Sequence, residues 1–159
     1  MDILDEDLIH FWKILNNYSV QYIMVGGFAV NLYGYTRSTT DLDLFLKDDF
    51  QNRQNLANAF SELGYGDISF EHLQFVPGWT NFQIGTGVQL DIMTSLQGLD
   101  LSFDECLEMA PVAEIEGTRV PFLHINHLIQ NKKVVNRPKD QLDVIELEKI
   151  KKILGEPGA

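Results

Sequence analysis

Asp41 and Asp43 alternate with Leu42 and Leu44 in DLDLFL (41–46), a run that otherwise reads as a buried strand. Side chains two apart on a strand leave from the same face, so the two carboxylates project side by side while the leucines face away. Like charges held this close repel, and no cation within the strand offsets them; a divalent cation between them would remove the conflict. Carboxylate oxygens with no His or Cys pattern nearby suit Mg²⁺ or Mn²⁺ rather than zinc. Asp91, inside the apolar VQLDIMTSL (88–96), is a third carboxylate in the same predicament. Three aspartates from adjacent strands can hold metal ions that clamp the attacking and leaving oxygens of a phosphoryl or nucleotidyl transfer. The competing explanation is an open sheet with solvent-facing aspartates, since Asp-x-Asp is common by itself.

Upstream lies VGGFAVNLYGYTR (25–37), where Gly26-Gly27 separates a strand from a short helix. Glycine lets a backbone come close to a ligand, and a helix start aims unpaired N–H groups at an anion. A tight turn needing positive φ would use the same residues. Arg37 offers a planar fork for phosphate oxygens, or an ion pair with one of the chain's many acids. Thr39 can bond a phosphate or pin the loop ahead of Asp41.

The elements that must position these groups follow from periodicity and punctuation. Leu8, Phe11, Trp12 and Leu15 mark a helix over 5–17 with Asp5 as N-cap, and 21–25 is a strand. FAVNLY (28–33) makes a short helix, and 49–63 a longer one with Phe50, Leu56, Ala57, Phe60 and Leu63 on its apolar face and Gly64 as its stop. Strands are expected at 68–76, 80–84 and 88–94, the last two joined through Gly85-Thr86-Gly87. SFDE (102–105) has capping-box spacing and opens a helix near 103–110; VAEIEGTRVPFL (112–123) reads as a hairpin turning at Gly117-Thr118. Helices over 127–135 and 138–154 close the chain, with Pro138 opening the second and Gly155 past its end.

Composition bounds the rest. A chain of 159 residues, 45% hydrophobic and 22% charged, suits one globular domain. No apolar window is long enough to cross a bilayer. The acidic start MDILDEDLIH is unlike a signal peptide, and the lone Cys106 has no disulfide or zinc partner, so a reducing cytoplasm is expected. Residues 1–122 hold 5 basic and 18 acidic residues, against 7 and 5 in residues 123–159, for a net charge of −11. That distribution lacks the broad basic face of a nonspecific nucleic-acid binder. His10, His72, His124 and His127 show no ligand or nucleophile–base spacing and are expected to be surface or core residues. Cys106 is expected to be a buried small hydrophobe, and Phe75, Trp79 and Phe82 to fill the core rather than stack on a ligand.

VGGFAVNLYGYTRSTTDLDLF (25–45), with Asp91 downstream, resembles the nucleotidyltransferase superfamily with the DNA polymerase β-type palm. Arg37-x-Thr39-x-Asp41-x-Asp43 is similar to small bacterial members, among them lincosamide nucleotidyltransferases and those of toxin–antitoxin and abortive-infection systems. LIQNKKVVNRPKDQLDVIEL (128–147) resembles their C-terminal helices at Lys132, Arg137, Lys139, Asp140 and Asp143. Of Lys132 and Lys133, a helix can turn only one inward.

The resemblance implies a single α+β domain over 1–159, with a palm of mixed sheet and flanking helices (1–125) and a C-terminal helical pair (126–155). It implies transfer of a nucleoside monophosphate from an NTP, ATP first, to a hydroxyl of a small, antibiotic-like acceptor, with pyrophosphate leaving. Asp41, Asp43 and Asp91 would hold Mg²⁺ or Mn²⁺; Gly26, Gly27, Arg37, Thr39 and Lys132 would face the nucleotide; Arg137, Lys139, Asp140 and Asp143 would form a structural charge network. A homodimer completing the cleft and a cognate antitoxin are candidate partners. The alternatives are a toxin-type transferase acting on protein or RNA, and a nucleotide-binding module without turnover.

Overall fold

The computed structural model describes residues 5–76, 80–85 and 87–155. In chain order the elements are α1 (Glu6–Asn17), β1 (Tyr22–Val25), α2 (Gly26–Leu32), β2 (Asp41–Leu46), α3 (Phe50–Glu62), β3 (Asn81–Ile84), β4 (Val88–Met93), α4 (Phe103–Met109), β5 (Val112–Ile115), β6 (Thr118–Pro121), α5 (Ile125–Val135) and α6 (Pro138–Leu154). The expected α+β architecture is observed. A four-stranded mixed sheet has the order β1-β2-β4-β3, with β2 and β4 parallel and the outer pairings antiparallel.

Alternation along the central strands divides the sheet into two unlike faces. Leu42, Leu44, Leu90 and Ile92 point one way and are fully buried. Against that face lie α1 and α3: Trp12 stacks on Tyr22 at 5.5 Å between centroids, and Phe60 meets Phe82 edge-on at 4.8 Å. The opposite face is covered at one end only, where Phe45 packs on Phe103 of α4 at 5.3 Å. Its other end, with Asp41, Asp43 and Asp91, stays partly open. A second sheet, the β5–β6 hairpin, runs alongside β1 through a bridge between Met24 and Phe122, and the Leu123 N–H donates to the Met24 carbonyl at 3.0 Å. That attachment delivers α5 and α6 to the open side.

Local signals explain several boundaries. Asp5 caps α1 and Asp49 caps α3, each accepting a backbone N–H, and Ser102 with Glu105 forms the expected capping box. The hairpin turns at Glu116-Gly117, both at positive φ, one residue earlier than its glycine suggested. Helix α2 begins at Gly26 itself, so the glycine pair opens the helix rather than merely ending the strand. Helix α5 starts two residues ahead of expectation because His124 caps it, its Nδ1 accepting the Asn126 N–H at 3.1 Å.

Two expectations fail. Residues 68–76 form no strand. This stretch is pinned by the Arg53 guanidinium, which donates to the carbonyls of Phe70 (2.6 Å) and Leu73 (2.5 Å), leaving those acceptors no strand partner. Its alternating apolar residues serve the core: Phe70 stacks on Phe75, and Arg53 sits 4.9 Å over the Phe75 ring. Phe50 does not join the apolar face of α3; it is 56% exposed at the first turn, before the helix meets the sheet. Phe75 and Phe82 are core aromatics as expected, whereas Trp79 lies outside the described residues. No helix among the described residues is long and apolar enough to cross a membrane.

Candidate active site

Strand register brings the carboxylates together. Asp43 of β2 lies directly beside Asp91 of parallel β4, and Asp41 leaves the same face one step along. Burial raises the Asp43 pKa from 3.8 to about 6, and the charges of Asp91 and Asp41 add to the shift, opposed by Lys132 and Lys139. A carboxylate raised by burial and then by two neighbouring carboxylates sits where a cation between them relieves the repulsion. Among the described residues no three His, Cys, Asp or Glu side chains form a closed ligand cage. An all-protein cage is not what Mg²⁺ ordinarily uses: it is held by one or two carboxylates plus substrate phosphate oxygens. The donor set fits that pattern.

Asp43 and Asp91 line a cavity of about 370 Å³ between the open sheet face and α5, together with Val25, Gly26, Lys132 and Arg137. Gly26 stands at φ +71°, and a Cβ there would lie 2.2 Å from the Asp43 Oδ2. Any side chain would displace that carboxylate. Gly27 is buried deeper, where a Cβ would meet Thr39 Oγ1 at 2.9 Å and Arg37 Nη2 at 3.2 Å. Both glycines therefore have a steric reason, and of the two Gly26 reaches the cavity.

The opposite wall is a network of ion pairs. Lys132 is buried, its ammonium 3.2 Å from Asp140 Oδ1 and 2.8 Å from Asp143 Oδ2. Arg37 grips Asp143 with two hydrogen bonds of 2.8 Å, and Arg137 donates from Nε to Asp140 at 2.6 Å. Arg37 thus takes the ion-pair role, behind the cavity wall. The Thr39 hydroxyl donates to the Asp41 carbonyl at 3.1 Å, fixing the backbone just ahead of β2. Neither Arg37 nor Thr39 lines the cavity. Lys133 turns outward to Glu148 at 3.2 Å, so Lys132 is the inward lysine. Lys139 is exposed, yet its charge is felt at Asp43.

Burial opposes ionisation of Asp140, but hydrogen bonds and charge from Arg137 and Lys132 prevail and lower its pKa to about 2. It remains a carboxylate at any working pH, so the cations it holds stay held. Cavity residues that carry no sequence motif include Met93, Leu96, Asn131 and Val135. Asn131 and Val135 share a helix face with Lys132, a clue that helical spacing offers once Lys132 is known to point inward. His127 is buried with its Nδ1 unpaired and its pKa lowered by burial and then by His124.

Comparison with solved structures agrees with this architecture. A lincosamide antibiotic adenylyltransferase, LnuA, in its lincomycin-bound form superposes with a TM-score of 0.60 at 14% identity, over 92% of this chain and 97% of that one. ANT(2")-Ia in complex with adenylyl-2"-tobramycin gives 0.55 at 20% identity, over 92% and 87%. An antigenic nucleotidyltransferase-like protein from Paracoccidioides brasiliensis gives 0.58 at 15%, over 92% and 75%. At such identities the likeness is one of fold. No functionally curated protein matches the sequence significantly. A family model does match, over residues 4–156, and the chain belongs to that family, described as nucleotidyl transferases of unknown function.

Proposed function

We propose that the protein transfers a nucleoside monophosphate from an NTP, ATP first, to a hydroxyl of a small, antibiotic-like acceptor. The observation that carries this is the in-register Asp43–Asp91 pair, with Asp41 on the same face, opposite a wall bearing Lys132 and Arg137. Acids that gather a cation face bases that gather a phosphate chain. Membership of a nucleotidyl transferase family supports the same activity.

Asp41, Asp43 and Asp91 would hold Mg²⁺ or Mn²⁺, which when bound supplies positive charge to the reacting phosphate and its leaving oxygens. The Gly26 backbone lets the triphosphate approach Asp43 without a side chain between them. Lys132, fixed by Asp140 and Asp143, and Arg137 attract the β- and γ-phosphates. Arg37 acts through Asp143, Gly27 allows the close packing of that loop, and Thr39 orders the backbone of Asp41. The acceptor oxygen attacks the α-phosphorus, the bond to the bridging oxygen breaks, and pyrophosphate leaves. Asp91 takes the proton of the acceptor hydroxyl.

The test is incubation with α-phosphate-labelled ATP and Mg²⁺, using lincomycin, tobramycin and a fractionated cell extract as acceptors. An Asp41→Ala, Asp43→Ala variant runs in parallel. Label in a small-molecule product, absent with the variant, is expected. Label confined to RNA or protein would redirect the acceptor class to that of a toxin-type transferase. No label with any of the four NTPs would leave a nucleotide-binding module.

A further inference from the structure

The three carboxylates belong to a longer polar surface. Register places Asp41, Gln89 and Gln83 in one row across β2, β4 and β3, and Asp43, Asp91 and Asn81 in the next. All six leave the same face of the sheet, opposite the buried Leu42, Leu90 and Ile84. Asn81, Gln83 and Gln89 are exposed, and the side-chain amides of Gln83 and Gln89 bond no described residue. Neither Asp41 nor these amides line the 370 Å³ cavity, which lies toward α5. That cavity is near the small end for a ligand pocket, so it has room for one ligand, not two.

Charge divides the two areas. The cavity side carries Lys132 and Arg137, with Lys139 close enough to act on Asp43. On the amide side the sequence contains no Lys or Arg from residue 54 to residue 118, a stretch that includes all of β3 and β4. A polyanion is drawn to the first area and repelled from the second. Carboxamides each carry donors and an acceptor, as hydroxyl groups do, so a row of them matches a polyhydroxylated surface.

Resting on the transferase reading above, we propose that the open face of β3 and β4 is the acceptor site. Gln83, Gln89 and Asn81 select an uncharged or cationic, hydroxyl-rich small molecule. Its reacting hydroxyl sits at Asp91, between the amide platform and the nucleotide. Acceptor and triphosphate approach from opposite sides of the carboxylates, and β3 and β4, which carry no Lys or Arg of their own, offer a second nucleotide or an RNA end no cation there.

The experiment compares wild type with the Gln83→Ala, Gln89→Ala double variant, both substitutions at exposed positions, in steady-state transfer from labelled ATP to tobramycin and to lincomycin. The acceptor KM should rise at least tenfold, with the KM for ATP changed by less than twofold. Circular dichroism of the variant checks that the fold is kept. Transfer with an unchanged acceptor KM overturns the platform and leaves the transferase intact. Label entering only RNA or protein overturns the assignment of a small hydroxyl-rich acceptor. No transfer by wild type to any acceptor, including the extract, sinks the transferase reading and the platform with it.

Discussion

Two sets of aspartates flank one cavity, lined by Asp43 and Asp91 on one side and Asp140 on the other, and meet opposite fates. On β2 and β4, Asp43 is beside Asp91 and near Asp41, and its pKa is raised to about 6. At the α5–α6 junction, Asp140 and Asp143 are more deeply buried, yet Arg37, Lys132 and Arg137 surround them and Asp140 falls to about 2. Burial alone would push both sets the same way; the difference is the sign of the neighbours. The network at the junction holds its shape through its own pairs, and its three cations against two carboxylates leave positive charge at the cavity, whereas a set of like charges gains from a cation brought in.

The largest effect expected from breaking this contrast is on activity. Asp43→Asn should lower label transfer on the order of a thousandfold, several kcal/mol of barrier. The same variant should unfold at an equal or higher temperature, because a source of repulsion is gone. Asp143→Ala should do the reverse at the other wall, destabilising the fold by about 3–5 kcal/mol in a denaturant titration, since Lys132 is left buried without its nearer partner.

The two walls should also titrate in opposite senses. Asp43 has a folded pKa of about 6 against 3.8 unfolded, so the native state binds the extra proton and stability declines as pH rises from about 4 to 6. The decline is worth on the order of 3 kcal/mol without metal. Asp140, at about 2 against 3.8, contributes stability that is present above about pH 4 and lost as pH falls toward 2. Thermal melts across pH 2–7 should show both limbs, and Asp43→Asn should flatten only the upper one. Mg²⁺ or Mn²⁺ at a hundred times its Kd should restore about 2.7 kcal/mol at pH 7 to wild type and much less to Asp43→Asn. The smallest effect sharpens the comparison: Lys133→Ala, which breaks the exposed Glu148 pair, should change stability by less than about 1 kcal/mol and leave transfer intact.

Legibility in the sequence followed the range of the interactions involved. The capping box at Ser102 and the alternation around Asp41 and Asp43 are local, and both elements formed as their residues indicated. The segment 68–76 has strand-like alternation too, but Arg53, some twenty residues upstream, takes the carbonyls a partner strand would need. His124 as an N-cap was equally hidden, because histidine is not among the residues that ordinarily cap. Trp12, Phe11 and Leu15 marked a buried face of α1, whereas Phe50 marked none on α3, since burial depends on what the helix meets.

At the candidate site the same division holds. Which residues can carry charge, and which share a strand face, is settled by side-chain chemistry and the two-residue repeat of a strand. That Asp91 stands beside Asp43, and not beside Asp41, depends on how β2 and β4 slid into register. That Arg37 spends its fork on Asp143, 106 residues away, required α6 to fold back across the loop before β2. Lys132 and Lys133 are chemically identical in the chain; the packing of α5 against α6 buried one with two carboxylates and left the other in water. Residue type supplies the available charges, and only the folded arrangement decides which of them cancel and which stay free to bind.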